Sequence, residues 1–424
     1  MLTKEQNDLV TKTGPDTQGG RMMRQYWVPV ALAEELPLHG DPLPVRVFSE
    51  DLVLFRDSEG RPGLLGLRCP HRRTDLSYGR IEDGGLRCLY HGWLFDIHGR
   101  CLEQPGESAE STFAERIRHT AYPCVEAGRL ILAYMGPEKP PPLPSLPFLH
   151  APAEHVWCTK LWHDCNYLQA SEGNVDPQHV SFLHRLDVAQ IENEGSRIIA
   201  SDGAPDLVVE ETDYGFRTYT SRVADAEHRY VRVTNFIMPS CSSFVGSPRV
   251  DPKTAKPNEN DGCQHHWHVP VDDEHHWKYL IAYRESGPVD PVYLSRRIAD
   301  DTDGHYHMHR NANNRYGQDR NTMAQRTFSG MGSDFQAHDK FATESQAPVS
   351  NRTLEHLGVT DRAVIVMRRL LLEAIADVES GREPLMRRRP DGRDPLAEMV
   401  VRAAKLPRGI ADVRGFWLSP TGAK

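Results

Sequence analysis

Two short segments carry the residue types that bind redox-active metal. Cys69-Pro70-His71 is followed by Cys88-Leu89-Tyr90-His91, so each segment offers one thiol and one imidazole. Two thiolates and two imidazoles converging from two loops can hold zinc or a [2Fe–2S] cluster. Zinc sites usually space paired ligands by roughly two to four residues, whereas only Pro70 separates the first pair here. A cluster in which one iron takes two cysteines and the other two histidines is satisfied directly by two loops that each give one ligand to each iron. A second constellation lies in 166–184, NYLQASEGNVDPQHVSFLH, which contains Asp176, His179 and His184. Two imidazoles from one segment and a distant carboxylate make the facial triad of a mononuclear iron(II) site, with positions left open for dioxygen and substrate. On an ideal helix His179 and His184 would stand about 140° apart. The helix must therefore end or deform between them, and Gly173 and Pro177 favour such irregularity. Taken singly, the first motif could be buried cysteines beside surface histidines, and the second a structural polar cluster. Together they gain meaning, because a cluster that passes single electrons needs an acceptor.

The rest of the chain must position these residues. Its 424 residues, with 50 Lys+Arg, 59 Asp+Glu and 39% hydrophobic residues, suit two or three globular domains of roughly 100–200 residues each. The net charge of −9 argues against nucleic acid as a partner. No apolar run reaches the ~20 residues of a membrane span, and the start MLTKEQNDLVTKTG is polar, so a cytoplasmic protein is expected. Eight scattered cysteines are too few for a disulfide scaffold and should be thiols. The proline-rich stretch 136–152, GPEKPPPLPSLPFLHAP, reads as an extended connector. It divides the chain into 1–150, an N-terminal segment plus an all-β domain of short strands, and 151–424. In the second part the runs DLVVEETDYGFRTYTSR, RYVRVTNFIMPS and HHWKYLIAYRE alternate as antiparallel strands do. Residues 360–381 form a helix pattern, with Thr360 placed to cap it and Gly381 to end it. The expected fold class is α+β. His265, His266, His268, His275 and His276 read as surface or edge positions of strands, and 248–262 as a polar surface loop. No Gly-x-Gly-x-x-Gly follows a strand, so a dinucleotide fold is not indicated and NAD(P)H would act through a separate reductase.

The motifs together resemble those of the Rieske non-haem iron aromatic oxygenases over most of the chain. The resemblance is closest to the phthalate dioxygenase-like branch, with phenoxybenzoate dioxygenase and dehydrodivanillate O-demethylase as relatives. It implies an all-β Rieske [2Fe–2S] domain, then a helix-grip catalytic domain with an antiparallel sheet. It places Cys69 and Cys88 on one iron, His71 and His91 on the other, and His179 and His184 on mononuclear Fe(2+). The block Asp339-Lys-Phe-Ala-Thr-Glu344 resembles the family's third-ligand region. The carboxylate falls on Asp339; composition and spacing alone leave Asp334 and Glu344 open. Asp176 corresponds to an aspartate that hydrogen-bonds a ligand histidine and a Rieske histidine of the neighbouring subunit. That implies electron transfer across an interface and a homotrimer, or a multiple of one.

The implied activity is oxygenation of an aromatic acid with O2 and electrons from a reductase or ferredoxin, by ring hydroxylation or O-demethylation. Arg232, in a strand whose alternation could point it inward, is the candidate partner of a substrate carboxylate. Two departures from phthalate-dioxygenase-like sequences are Pro177, where a small hydroxyl residue is usual, and Pro205-Asp206, where Pro-Arg is usual. They shift the expectation from a compact dianion toward a larger aromatic acid, such as a lignin-derived biaryl methyl ether. Two other readings compete: a Rieske electron carrier with a non-catalytic C-terminal domain, and a zinc-bound interaction module. An open site at His179, His184 and Asp339 has no use in the first, and the second would be colourless.

Overall fold

The computed structural model describes residues 1–186, 194–246, 249–251, 253, 255, 258–299, 302–389, 392–410 and 413–418. Two compact units emerge: Lys12–Ala153 with Val269–Asp272, and Met1–Thr11 with Glu154–His268 and Asp273–Lys424. The first helix, Lys4–Thr11, thus packs with the larger unit and not with the segment that follows it. Polar contacts hold it there: Asn7 Nδ2 donates to the Ser350 carbonyl at 3.2 Å, and Asn166 Nδ2 to that of Thr11 at 2.9 Å.

The smaller unit is built from three antiparallel sheets. Strands Leu43–Val47, Glu50–Arg56 and Pro62–Gly66 follow one another as a meander, completed by Ala121–Tyr122. A second sheet runs Arg80–Glu82, Gly85–Arg87, Leu94–Phe95 and Cys101–Glu103, and a third pairs Trp27–Leu32 with Leu130–Tyr134 and Cys124–Ala127. The core gathers Val53, Phe55, Leu65, Leu76, Leu86, Trp93 and Phe95, together with Cys69 and Cys88. Each large apolar side chain buried in this way contributes about 1.5–3 kcal/mol, so the roots of both Cys–His loops are fixed by packing. The proline-rich stretch 136–152 holds one short helix, Pro147–His150.

The larger unit carries an eight-stranded sheet in the order Val156–His163, His276–Tyr283, Cys263–Pro270, Cys241–Phe244, His228–Ile237, Gly215–Val223, Asp206–Thr212, with Ala403–Pro407 added on His228–Ile237. This is the mixed helix and antiparallel-sheet architecture that the alternating runs led us to expect. The helix Arg362–Glu379 buries Val364, Met367, Leu371 and Ile375 on one stripe, as three- and four-residue spacing requires. Gly381 ends it with φ +70°, a conformation glycine adopts without strain. Thr360 does not cap this helix. Its hydroxyl donates to Gln178 Oε1 at 2.8 Å, and the N-terminal flanking residue is Asp361. Under the helices lies a buried ionic group: Glu172 accepts from Arg352 Nε at 3.0 Å and Arg368 Nε at 2.6 Å, and Arg368 also pairs with Glu355. Burial pushes the Glu172 carboxyl up, yet the two guanidiniums hold it below its ordinary value.

The histidines of the central strands are not at the surface. His265, His268 and His276 are fully buried, His266 nearly so, and His275 half-buried. The strands that carry them lie inside the sheet, and neutral imidazoles can satisfy one another there. His268 Nδ1 lies 3.1 Å from His276 Nε2, whose Nδ1 donates to the Cys165 carbonyl at 2.7 Å. The loop expected over 248–262 lies partly outside the described residues.

Candidate metal centres

In the smaller unit each cysteine closes a tight loop. The Cys69 N–H donates to the Thr74 carbonyl, and the Arg73 N–H returns to the Cys69 carbonyl, both at 2.9 Å. In the second loop the Cys88 N–H donates to Trp93 and the Gly92 N–H returns to Cys88. The turns need a left-handed residue, supplied by Arg73 at φ +63° and Gly92 at φ +74°. The two thiols are buried and the two imidazoles exposed. The His71 and His91 ring centroids are 4.5 Å apart, and His71 stacks on Trp93. The two sulfurs act on each other directly, which pulls Cys88 below its ordinary value and holds Cys69 above its own. Backbone N–H groups of Tyr90 and His91 face Cys88, and those of His71 and Arg72 face Cys69. Thiols set in amide cradles, with two imidazoles on the open side, suit an anionic cluster whose sulfurs accept hydrogen bonds.

The second centre forms where a helix breaks. Tyr167–Val175 is capped by Asn166, whose side chain accepts from the Leu168 N–H. It stops at Asp176, which is extended (φ −76°, ψ 117°) as a residue before proline tends to be. The Asp176 carboxylate accepts the Gln178 N–H at 2.8 Å and the His179 N–H at 3.3 Å, which starts the short turn His179–Phe182. His184 follows that turn, and Asp339 reaches the same point from the middle of the helix Phe335–Glu344. Ligand atoms of His179, His184 and Asp339 all lie within 4.8 Å of one another. Asp339 Oδ1 is 3.0 Å from His184 Nε2 and 3.9 Å from His179 Nε2.

Hydrogen bonds assign the tautomers. His179 Nδ1 lies 2.8 Å from the Asp176 carbonyl, so it carries the proton and the neutral ring keeps its lone pair on Nε2; burial opposes charge on this ring, yet the Asp176 and Asp339 carboxylates raise its pKa. His338 Nε2 faces the Gly332 carbonyl at 3.0 Å and must be protonated. Its Nδ1 is then an acceptor, because burial first and the charge of His184 next push His338 down to about 4. His184 Nδ1, 3.3 Å away, must donate to it. The Nε2 lone pair of His184 therefore points at a carboxylate oxygen. Burial also lowers the pKa of His184, while Asp339 is held well below its ordinary value by Lys278 and His184 against the effect of burial. Two imidazole lone pairs and a carboxylate aimed at one point call for a cation, and this donor set fits iron(II).

The alternative carboxylates are otherwise engaged. Asp334 caps the helix through the Gln336 and Ala337 N–H groups, and Glu344 accepts from Lys340 and Tyr316. Arg232 is half-buried, with Nη2 on the Val245 carbonyl at 2.7 Å. Sequence reasoning passed over three groups that surround the break. Arg222 donates to the Pro177 carbonyl and, at 3.3 Å, to Ser181 Oγ. Asn174 bonds His268 Nε2 at 2.6 Å and His266 Nδ1 at 3.2 Å. Lys278 approaches Asp339 Oδ2 at 3.3 Å. The one available signal was a charged residue inside an otherwise buried strand, visible for Arg222 and Lys278.

Comparison with known proteins bears on both centres. The family described as "Rieske [2Fe-2S] domain" matches residues 26–121, and "LigXa C-terminal domain like" matches 133–399. The phthalate 4,5-dioxygenase oxygenase subunit of Pseudomonas putida is 36% identical over 90% of this chain and 88% of its own. The 5,5'-dehydrodivanillate O-demethylase oxygenase subunit of Sphingobium sp. is 30% identical, over 91% and 83%. In fold, dicamba monooxygenase bound to dicamba superposes with a TM-score of 0.60 at 20% identity, covering 85% of this chain and 99% of that one. Among the described residues no helix is long and apolar enough to cross a membrane. The chain belongs to the Rieske non-haem iron oxygenases, as an oxygenase component that carries a Rieske [2Fe–2S] cluster and a mononuclear iron and takes its electrons from a separate reductase.

Proposed function

We propose that Cys69, His71, Cys88 and His91 hold the cluster, that His179, His184 and Asp339 hold the mononuclear iron, and that the enzyme oxygenates an aromatic acid. The reaction would be ring hydroxylation or O-demethylation of an aryl methyl ether such as a lignin-derived biaryl. The observation that carries this reading is the convergence of ligand atoms of His179, His184 and Asp339 within 4.8 Å of one another, with Asp339 Oδ1 facing both imidazoles. An electron carrier without catalysis would have no reason to assemble it. When bound, the cluster supplies single electrons and the iron supplies dioxygen activation. The chain's own groups do the rest. Asp176 and His338 fix the rings and tautomers of the ligand histidines, and Arg222 braces the backbone between Asp176 and His179.

Substrate recognition is assigned to Arg232. Arg222 is pushed down to about 10 by burial first and then by the charge of Arg232. Two guanidiniums on neighbouring strands thus share one region, and that favours an anion. The names of the relatives, a phthalate dioxygenase and a dehydrodivanillate O-demethylase, point the same way. Electron delivery falls to residues 1–150 and oxygenation to 151–424, with the helix Lys4–Thr11 serving the latter's packing. In this reading the chain assembles as a homotrimer, and Asp176 carries electrons in from a neighbouring subunit's cluster. A cytoplasmic location suits a chain whose eight cysteines form no disulfide.

The test is product analysis with a reductase, isotopically labelled dioxygen and a panel of aromatic acids and aryl methyl ethers. Labelled dihydrodiol or phenol products, or formaldehyde released from a methyl ether, are expected. Reductant consumption without any oxygenated product across the panel would support the electron-carrier alternative.

A further inference from the structure

Lys278 lies on the strand His276–Tyr283, opposite Leu161, and its side chain is 1% exposed. Among the described residues its ammonium has one hydrogen-bond partner, Asp339 Oδ2, at 3.3 Å. The other oxygen of the same carboxylate is the one that faces both imidazoles. A buried ammonium is costly unless paired, and a cation this close to a site for a second cation opposes metal binding. Packing needs neither: Leu161, Leu280 and Ala337 form an apolar cluster in the same neighbourhood. The charge therefore has a positional use.

We propose that Lys278 is a positioning residue that keeps Asp339 a one-oxygen ligand. By holding Oδ2, it leaves only Oδ1 for the metal. The protein then supplies three donor atoms instead of four, and one more coordination position stays free for dioxygen and substrate. An arginine at this place could still hold Oδ2, although its planar fork is a poorer match than the compact ammonium.

The inference rests on the ligand assignment above, and cobalt(II) placed in the mononuclear site of the full chain tests the two separately. X-ray absorption at the cobalt edge sees the added ion alone, so the cluster iron does not interfere. In Lys278→Met, Asp339 should bind through both oxygens, adding one protein oxygen to the cobalt shell, and cobalt affinity should rise about tenfold with the like charge gone. Lys278→Arg should retain the parent coordination. A packing role alone would leave the coordination untouched and weaken binding. An unchanged cobalt shell in Lys278→Met, whatever the affinity, overturns the proposal; Lys278→Gln repeats the measurement if Lys278→Met does not fold. If Asp339→Ala binds cobalt as the parent does, the ligand assignment fails instead.

Discussion

The two candidate metal-binding regions bring their donor side chains together by opposite routes. The cluster loops are local: each cysteine, its histidine and its turn lie within a few residues, and the packed roots sit beneath exposed imidazoles. The mononuclear site is assembled from a broken helix, a turn and a helix from another part of the chain, and its histidines depend on Asp176 and His338 for their tautomers. Local loops leave a sequence signature; an assembled site leaves only part of one. The same contrast extends to charge. The larger unit buries neutral histidines and ion pairs, whereas the smaller one keeps His71 and His91 in contact with solvent.

Exchange at the two centres should separate them most sharply. Cys69→Ser is expected to abolish the visible iron–sulfur spectrum and all turnover while the larger unit stays folded, because that unit has its own core. Visible absorption and near-ultraviolet circular dichroism check this, and a retained cluster spectrum would remove Cys69 from the ligand set. The next largest effect concerns the link between the centres. Asp176→Asn should leave both metals loaded but lower turnover about a hundredfold, on the order of two tenfold steps of ~1.4 kcal/mol each. Mixing it with Cys69→Ser should restore activity, as the proposed trimer with electron transfer between subunits requires. Full activity of Asp176→Asn alone would sink the route through this residue.

Acid should also distinguish the units. Burial pushes both His265 and His276 down to about 3, whereas an unfolded histidine titrates near 6.5 (about that of a free imidazole). Between about pH 6.5 and about pH 3 the unfolded state binds more protons, so this contribution is complete above that window and lost as pH falls through it. The larger unit should lose a few kcal/mol across that range. Denaturant unfolding followed by near-ultraviolet dichroism should show its midpoint falling with acid, and His276→Asn should flatten the slope. A midpoint independent of pH would contradict the neutral, buried state of these rings. The smallest effect expected is at Thr360. Removing its hydroxyl bond to Gln178 with Thr360→Val should cost about 0.5–1.5 kcal/mol without changing metal content, as thermal unfolding and metal analysis would show.

How far the sequence could be read follows from this difference. The spacing of Cys69, His71, Cys88 and His91 narrows what they can bind to zinc or a [2Fe–2S] cluster, and the short alternating runs became strands where alternation placed them. His179 and His184 were legible as a pair, but Asp339 was not separable from Asp334 and Glu344 by spacing. The structure separates them by occupation: a helix cap uses Asp334, a buried lysine and a tyrosine use Glu344, and Asp339 meets the histidines. The central histidines were misjudged because alternation shows which residues share a face, not whether a strand lies inside a sheet. Thr360 was misjudged because a hydroxyl near a helix start can bond a distant side chain as readily as its own backbone. Arg222, Asn174 and Lys278 act through residues distant in sequence; a charge inside a buried strand marks Arg222 and Lys278 as unusual, but no local pattern names their partners.

In the proposed arrangement His179, His184 and Asp339 form one iron site independent of the cluster. Iron counting on Asp339→Ala, read beside its visible spectrum, tests it most directly. Asp339→Ala should lose the mononuclear iron and product formation, with the two irons of the [2Fe–2S] cluster and their spectrum unchanged. Full iron and activity in Asp339→Ala, with both lost in Glu344→Ala or Asp334→Ala, would contradict it.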